Sequence, residues 1–186
     1  MANTVSAPRR PRDAEATRTA IAEAAARLLP ERPPSVITGR QLADEAGVNY
    51  GLIHHHYGGK DGAVEAGMNV LRRDFVEQFG DGSNTPFLGS GSHPYLRATV
   101  RSLLEWPDSP ELDNRFKIVS SMVEAIAGRL GDPHEAKART IAAVSLQVFY
   151  GVFGDVLLDA TDADTDADIS EIERHLADLY DSITLR

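Results

Sequence analysis

Cysteine is absent from the 186-residue chain, which excludes disulfides, thiolate metal sites and cysteine nucleophiles and leaves the redox compartment open. Long apolar runs are missing too: none approaches the roughly 18 to 20 residues of a membrane span. The basic N-terminus, with Arg9, Arg10 and Arg12, lacks the apolar stretch of a signal peptide. The expectation is a soluble, cytoplasmic chain. No period-2 strand pattern, hairpin dipeptide between strands or internal repeat occurs. There is also no P-loop, nucleophile elbow, zinc motif or recognisable carboxylate pair, so neither an enzyme nor a cofactor is expected.

What is present is enough apolar material for a sizeable core, at 42% of residues. The charge is divided unevenly. Residues 1–73 hold ten basic and eight acidic side chains, a balance of +2, whereas residues 74–186 hold nine and twenty, a balance of −11. An N-terminal part able to approach phosphate, joined to an acidic body that phosphate would repel, fits a DNA reader with a separate sensing or pairing body. Solubility alone would also explain the acidic part.

Helical periodicity with capping signals runs through the chain. Residues 13–29 carry Ile21, Ala24, Ala25 and Leu28 at helical spacing, with Asp13 as the N-cap and Pro30 as the stop. Thr38 and Gln41 make a capping box, with Ile37 as its hydrophobic staple. A short helix over about 40–46 closes at Gly47, and Asn49 caps another over about 50–57. Gly58 and Gly59 end that one, and a fourth helix runs from Lys60 to about Gln78. The Gly/Ser/Pro-rich stretch 80–94 marks a subdomain boundary. Further helices are expected over about 95–105, 110–129, 133–159 and 170–183, the last opened by a Ser170/Glu173 capping box. The fold class is all-α. Its organisation reads as a basic arm (1–12), a three-helix helix-turn-helix domain (13–60, motif 38–57), a connecting helix (61–79) and a C-terminal helical bundle (80–186).

Two helices that cross through a tight turn need a small residue at the crossing, a turn residue tolerant of positive φ and apolar inward positions. Ala43, Gly47 and Ile53 meet these needs in order, with Leu42, Ala46 and Val48 completing the inward surface. The candidates for DNA contact are Thr38, Arg40, Asn49, Tyr50, Gly51, His54, His55, Tyr57 and Lys60. The second helix of such a unit presents its N-terminal residues to the major groove. Gly51 permits close approach there, Lys60 joins a helix N-terminus suited to phosphate, and Asn49 is a cap first. Arg40 reads either as a phosphate contact or as a solvated arginine. The triplet His54-His55-His56 does not read as a metal site, because successive helical residues point about 100° apart. One of the three is expected to face the core.

These residues resemble the tetracycline-repressor (TetR) family of bacterial regulators. The family pattern T-x-R-x-[IL]-A-x-x-A-G-V-[SN]-x-G-x-[LI]-Y-x-[HY]-[FY]-x-x-K is met by Thr38, Arg40, Leu42, Ala43, Ala46, Gly47, Val48, Asn49, Gly51, Ile53, His56, Tyr57 and Lys60. His54 stands where the family has tyrosine, and Pro33 and Pro34 stand where it commonly has glycine, so a tyrosine–phosphate contact does not carry over to His54. The resemblance implies an all-helical homodimer. Its C-terminal domain would bind a small molecule and pair through the last two helices.

In the C-terminal half, Ile141, Val144, Leu146, Val148, Phe149, Val152, Phe153, Val156 and Leu157 make one helix apolar around much of its circumference. With Leu176, Leu179, Tyr180 and Ile183 they form a candidate dimer surface, the alternative being an intramolecular core. Trp106, Phe116, Met122, Phe149, Tyr150 and Phe153 are candidate effector-pocket residues. Asp162, Asp164, Asp166, Ile169 and Glu173 fall at EF-hand spacing, but Ala167 occupies the position that loop gives to glycine. The reading reached is a one-component transcriptional regulator, expected to act as a repressor on a palindromic operator, as a dimer and under a small-molecule effector. The alternative is a helical calcium-binding or protein-interaction module.

Overall fold

The computed structural model describes residues 11–89, 93–105 and 116–185. Arg9, Arg10 and Trp106 lie outside them. Among the described residues there are eight helices and no strand: α1 (Pro11–Leu28), α2 (Gly39–Ala46), α3 (Gly51–Tyr57), α4 (Lys60–Phe79), α5 (Pro94–Glu105), α6 (Lys117–Leu130), α7 (Pro133–Ala160) and α8 (Asp166–Thr184). The all-α expectation is met. The chain forms two compact units, Met1–Val70 and Leu71–Arg186.

In the first unit, α1, α2 and α3 pack around Ile21, Ala24, Ala25, Leu29, Ile37, Leu42 and Ile53, all essentially buried. α1 begins at Pro11, so Asp13 lies within the helix and does not cap it. Gly67 of α4 sits hard against α1: a Cβ there would stand 2.6 Å from Ala25 Cβ. Only a residue without a side chain lets these two backbones approach so closely.

The second unit holds α5 to α8, with Met122, Ile126, Ala136, Ala143 and Tyr180 at its centre. α7 starts as its sequence dictates. Pro133 occupies the first turn, and the Asp132 carboxylate accepts from the N–H groups of His134 (2.8 Å) and Glu135 (3.2 Å). Arg129 and Arg139 donate to the carbonyls of Thr184 and Ile183, supplying partners to the last turn of α8. The buried face of α7 is mostly small or polar (Ala136, Thr140, Ala143, Gln147, Gly151, Gly154), with Tyr150 and Leu158 as its large members, while Ile141, Phe149, Phe153 and Val156 are exposed. Against the expectation that no apolar stretch nears the length of a membrane span, this helix is long and apolar enough over an 18-residue window to cross one, yet it packs on α5, α6 and α8.

One sequence expectation fails at α8. The helix starts at Asp166, four residues before Ser170, because Thr165 is the cap: its hydroxyl accepts from Asp168 N–H at 3.2 Å. Asp166 and Asp168 then favour the positive end of the helix. Ser170 is therefore interior, and the Glu173 carboxylate lies against Gly89. For the same reason the EF-hand spacing is broken. From its fifth position, Asp166, onward the residues are helical, so their side chains splay around α8 and do not converge on one ion.

Candidate nucleic-acid interface and ligand cavity

The capping box predicted at α2 is present in full. Gln41 N–H donates to Thr38 Oγ1 (3.2 Å), and Gln41 Oε1 accepts from Thr38 N–H (2.9 Å). α2 ends in a Schellman motif: Gly47 has φ 66°, its N–H bonds Asp44 O (3.2 Å), and Val48 N–H bonds Ala43 O (2.9 Å). Four residues after Gly47, α3 begins. Tyr50 already has helical angles, and Asn49 Oδ1 accepts from Gly51 N–H at 2.9 Å, so Asn49 caps α3 as its side-chain chemistry predicts. Gly58 (φ 71°) and Gly59 (φ 146°) then turn the chain into α4.

This framework leaves Arg40, Asn49, Tyr50, Gly51, His54 and His55 exposed, with Ile53 buried beneath them. Tyr50 and His54, one turn apart, stand edge to face, with the phenol oxygen 3.3 Å from His54 Nε2. The Tyr50 ring also fills the space beside Gly39, where a Cβ would come within 2.6 Å of it. His56 is the half-buried member of the triplet.

Two predicted contacts have commitments inside the fold. Tyr57 is half-buried, and its hydroxyl donates to the Arg18 carbonyl at 2.8 Å. The Arg18 guanidinium lies over the Tyr57 ring, 4.9 Å from its centroid, and donates to the His56 carbonyl at 3.0 Å. Burial raises the Tyr57 pKa, and the Arg18 charge offsets part of the rise. Lys60 Nζ donates to the Pro34 carbonyl at 3.0 Å and lies 3.6 Å from Asp61. Pro34 is fully buried, so the proline pair that replaces glycine here builds the seat for Lys60. Sequence reasoning missed Gly39 and Arg18. Neither belongs to an amphipathic or capping pattern that would have flagged it.

The second unit contains a cavity of about 560 Å³, lined among others by Phe75, Tyr95, Thr99, Phe116, Met122, Gln147, Phe149 and Phe153. Phe116, Met122, Phe149 and Phe153 are thus brought together in one lining. Tyr150 does not line it; the side chain is buried with its ring 5.7 Å from Phe87. Position 150 falls on the buried face of α7, about a third of a turn from Phe149. Tyr180, also in the lining, has its pKa pushed up to about 12, mainly by burial and further by Asp181, so its phenol stays neutral.

Residues 21–66 match the family model of bacterial regulatory proteins of the tetR family. The first unit thus carries a tetR-family DNA-binding domain, and the relatives that span most of the chain are HTH-type transcriptional regulators. The chain is 27% identical over 154 residues to the HTH-type transcriptional repressor Rv3405c of Mycobacterium tuberculosis, which covers 83% of this chain and 82% of that protein. The HTH-type transcriptional regulator Mb3439c of Mycobacterium bovis matches to the same extent, at 27% over 154 residues. The HTH-type transcriptional regulator BetI of Brucella anthropi is 40% identical over 57 residues, 31% of this chain and 29% of that protein. DNA is the partner that the matched helix-turn-helix domain supports.

Proposed function

We propose that this regulator is a dimeric, cytoplasmic repressor that releases its operator when a small molecule enters the cavity of the second unit. The observation that carries the DNA-reading arm is α3, whose Tyr50, Gly51, His54 and His55 are exposed above a buried Ile53. Residues near the start of such a helix meet base edges, while Thr38, Arg40 and Lys60 suit phosphate. The repressor named in Mycobacterium tuberculosis supports the sign of regulation.

Pairing is supported by large exposed apolar side chains on α7 and α8: Ile141, Phe149, Phe153, Val156 and Leu179 are each at least 44% exposed. A two-fold contact between copies of this surface would bury them. Paired reading helices would then meet half-sites about 34 to 36 Å apart, and effector binding would shift that spacing.

The test is a footprint on the DNA flanking the regulator's own gene, with affinity measured against salt. The expected result is a protected palindrome and a linear fall of log K with log salt. Lys60→Ala should weaken binding to all sequences and lower the salt slope by about 1, whereas Tyr50→Ala should alter base preference. The reverse pattern would refute these roles.

A further inference from the structure

Resting on the reading that this cavity is the effector site, we propose that it takes an uncharged, mainly apolar molecule whose hydrogen-bond acceptor is held by the Gln147 amide.

No Asp, Glu, Lys, Arg or His is found among the described residues that line the cavity; the wall is aliphatic and aromatic with a few neutral polar groups. A carboxylate or ammonium entering it would lose hydration without meeting a counter-charge. An uncharged body would lose nothing comparable.

Three of the polar groups that line the space share one property. Gln147, buried on α7, accepts the Leu88 N–H at Oε1, 2.9 Å away. A backbone N–H can only donate, so this bond fixes the amide orientation and turns the NH2 group away from Leu88. That nitrogen, Nε2, is buried without a hydrogen-bond partner in the protein. The hydroxyls of Thr99 on α5 and Thr85 in the preceding loop are in the same state, and all three residues line this cavity. Buried polar groups are almost always paired. Three unpaired ones from three segments around one cavity mark a wall whose pairing a guest completes. Hydroxyls can donate or accept, but the Gln147 NH2 only donates, so the guest must bring an acceptor such as a carbonyl or ether oxygen.

Nile red, an uncharged dye whose emission rises in apolar surroundings, can report occupancy of the full-length protein. Three competitors share one skeleton: benzophenone is neutral with an acceptor, diphenylmethane is neutral without one, and diphenylacetate is an anion. Benzophenone should displace the dye about five- to tenfold more tightly than diphenylmethane, and diphenylacetate should be the weakest. Gln147→Met should abolish the benzophenone advantage. Gln147→Glu keeps the acceptor for Leu88 if the methionine variant does not fold, and at about pH 8 it should abolish the advantage too. Equal binding of benzophenone and diphenylmethane, an advantage that survives in the folded variant, or tightest binding of diphenylacetate would overturn the inference while leaving a ligand cavity in place. Absence of saturable binding by the dye and all three competitors would overturn the effector-site reading with it.

Discussion

Tyr50 owes its position to a residue with no side chain. Its ring occupies the volume that a Cβ on Gly39 would need, and its hydroxyl meets His54, so three positions fix one aromatic at the start of α3, the proposed reading helix. Gly39→Ala should leave stability within about 0.5 kcal/mol, since the displaced atoms belong to a side chain that can swing outward. Operator affinity should fall roughly tenfold as the ring leaves its place. Thermal melting and DNA titration check the two halves, and an unchanged affinity would remove Tyr50 from the interface. His54 then serves as the partner of Tyr50 in the position where the family pattern has tyrosine. Proline is used in a similar way at position 34: what matters for Lys60 is the carbonyl, which any residue has, held in place by a buried ring.

At the scale of elements, the start of α8 shows how far local sequence decides structure. Thr165 with Asp168 and Ser170 with Glu173 both place a hydroxyl three residues before a carboxylate, and a pattern of that kind cannot choose between them. The fold uses the earlier one. Thr165→Ala should therefore cost about 1 kcal/mol and Ser170→Ala less than about 0.5 kcal/mol, measured by urea unfolding; equal costs would return the cap to Ser170. The box at Thr38 was legible because no rival lies nearby and the left-handed Gly47 closes the helix it opens. Tyr57 was not legible as a buried group, because its partner Arg18 lies 39 residues away. Cavity residues were legible as large apolar groups. Which side of α7 is buried was not: Phe149 and Tyr150 are equivalent to a hydropathy pattern, and only the packed small face decides between them.

For the molecule as a whole, two titrating features stand out. The +2 and −11 balances of its two parts place the surplus positive charge in residues 1–73, so on the proposed reading the salt dependence of DNA binding should come mainly from there. Stability should depend on pH through His93. That ring is packed against Phe75 and Phe79, and its Nδ1 accepts the Tyr95 N–H at 3.3 Å, an interaction that needs the neutral imidazole. Burial lowers its pKa from the ordinary 6.5, and Asp74 offsets part of the shift. The unfolded chain then binds a proton more readily than the folded one, so stability is full above the unfolded value and is lost as pH falls through it toward the folded value. Melting temperatures should drop between about pH 7 and pH 5, and His93→Asn, which retains an acceptor, should lessen the drop; an identical profile in the variant would place the dependence elsewhere.

The clasp between Arg18 and Tyr57 bears on how such a regulator can change its target. It fixes α3 to α1 through two side chains and two backbone carbonyls, those of Arg18 and His56. Any residue supplies a carbonyl. Positions 54 and 55 are therefore not spent on holding the helix, and on the proposed reading new operators can be explored by substitution there without renegotiating the angle at which the helix is presented.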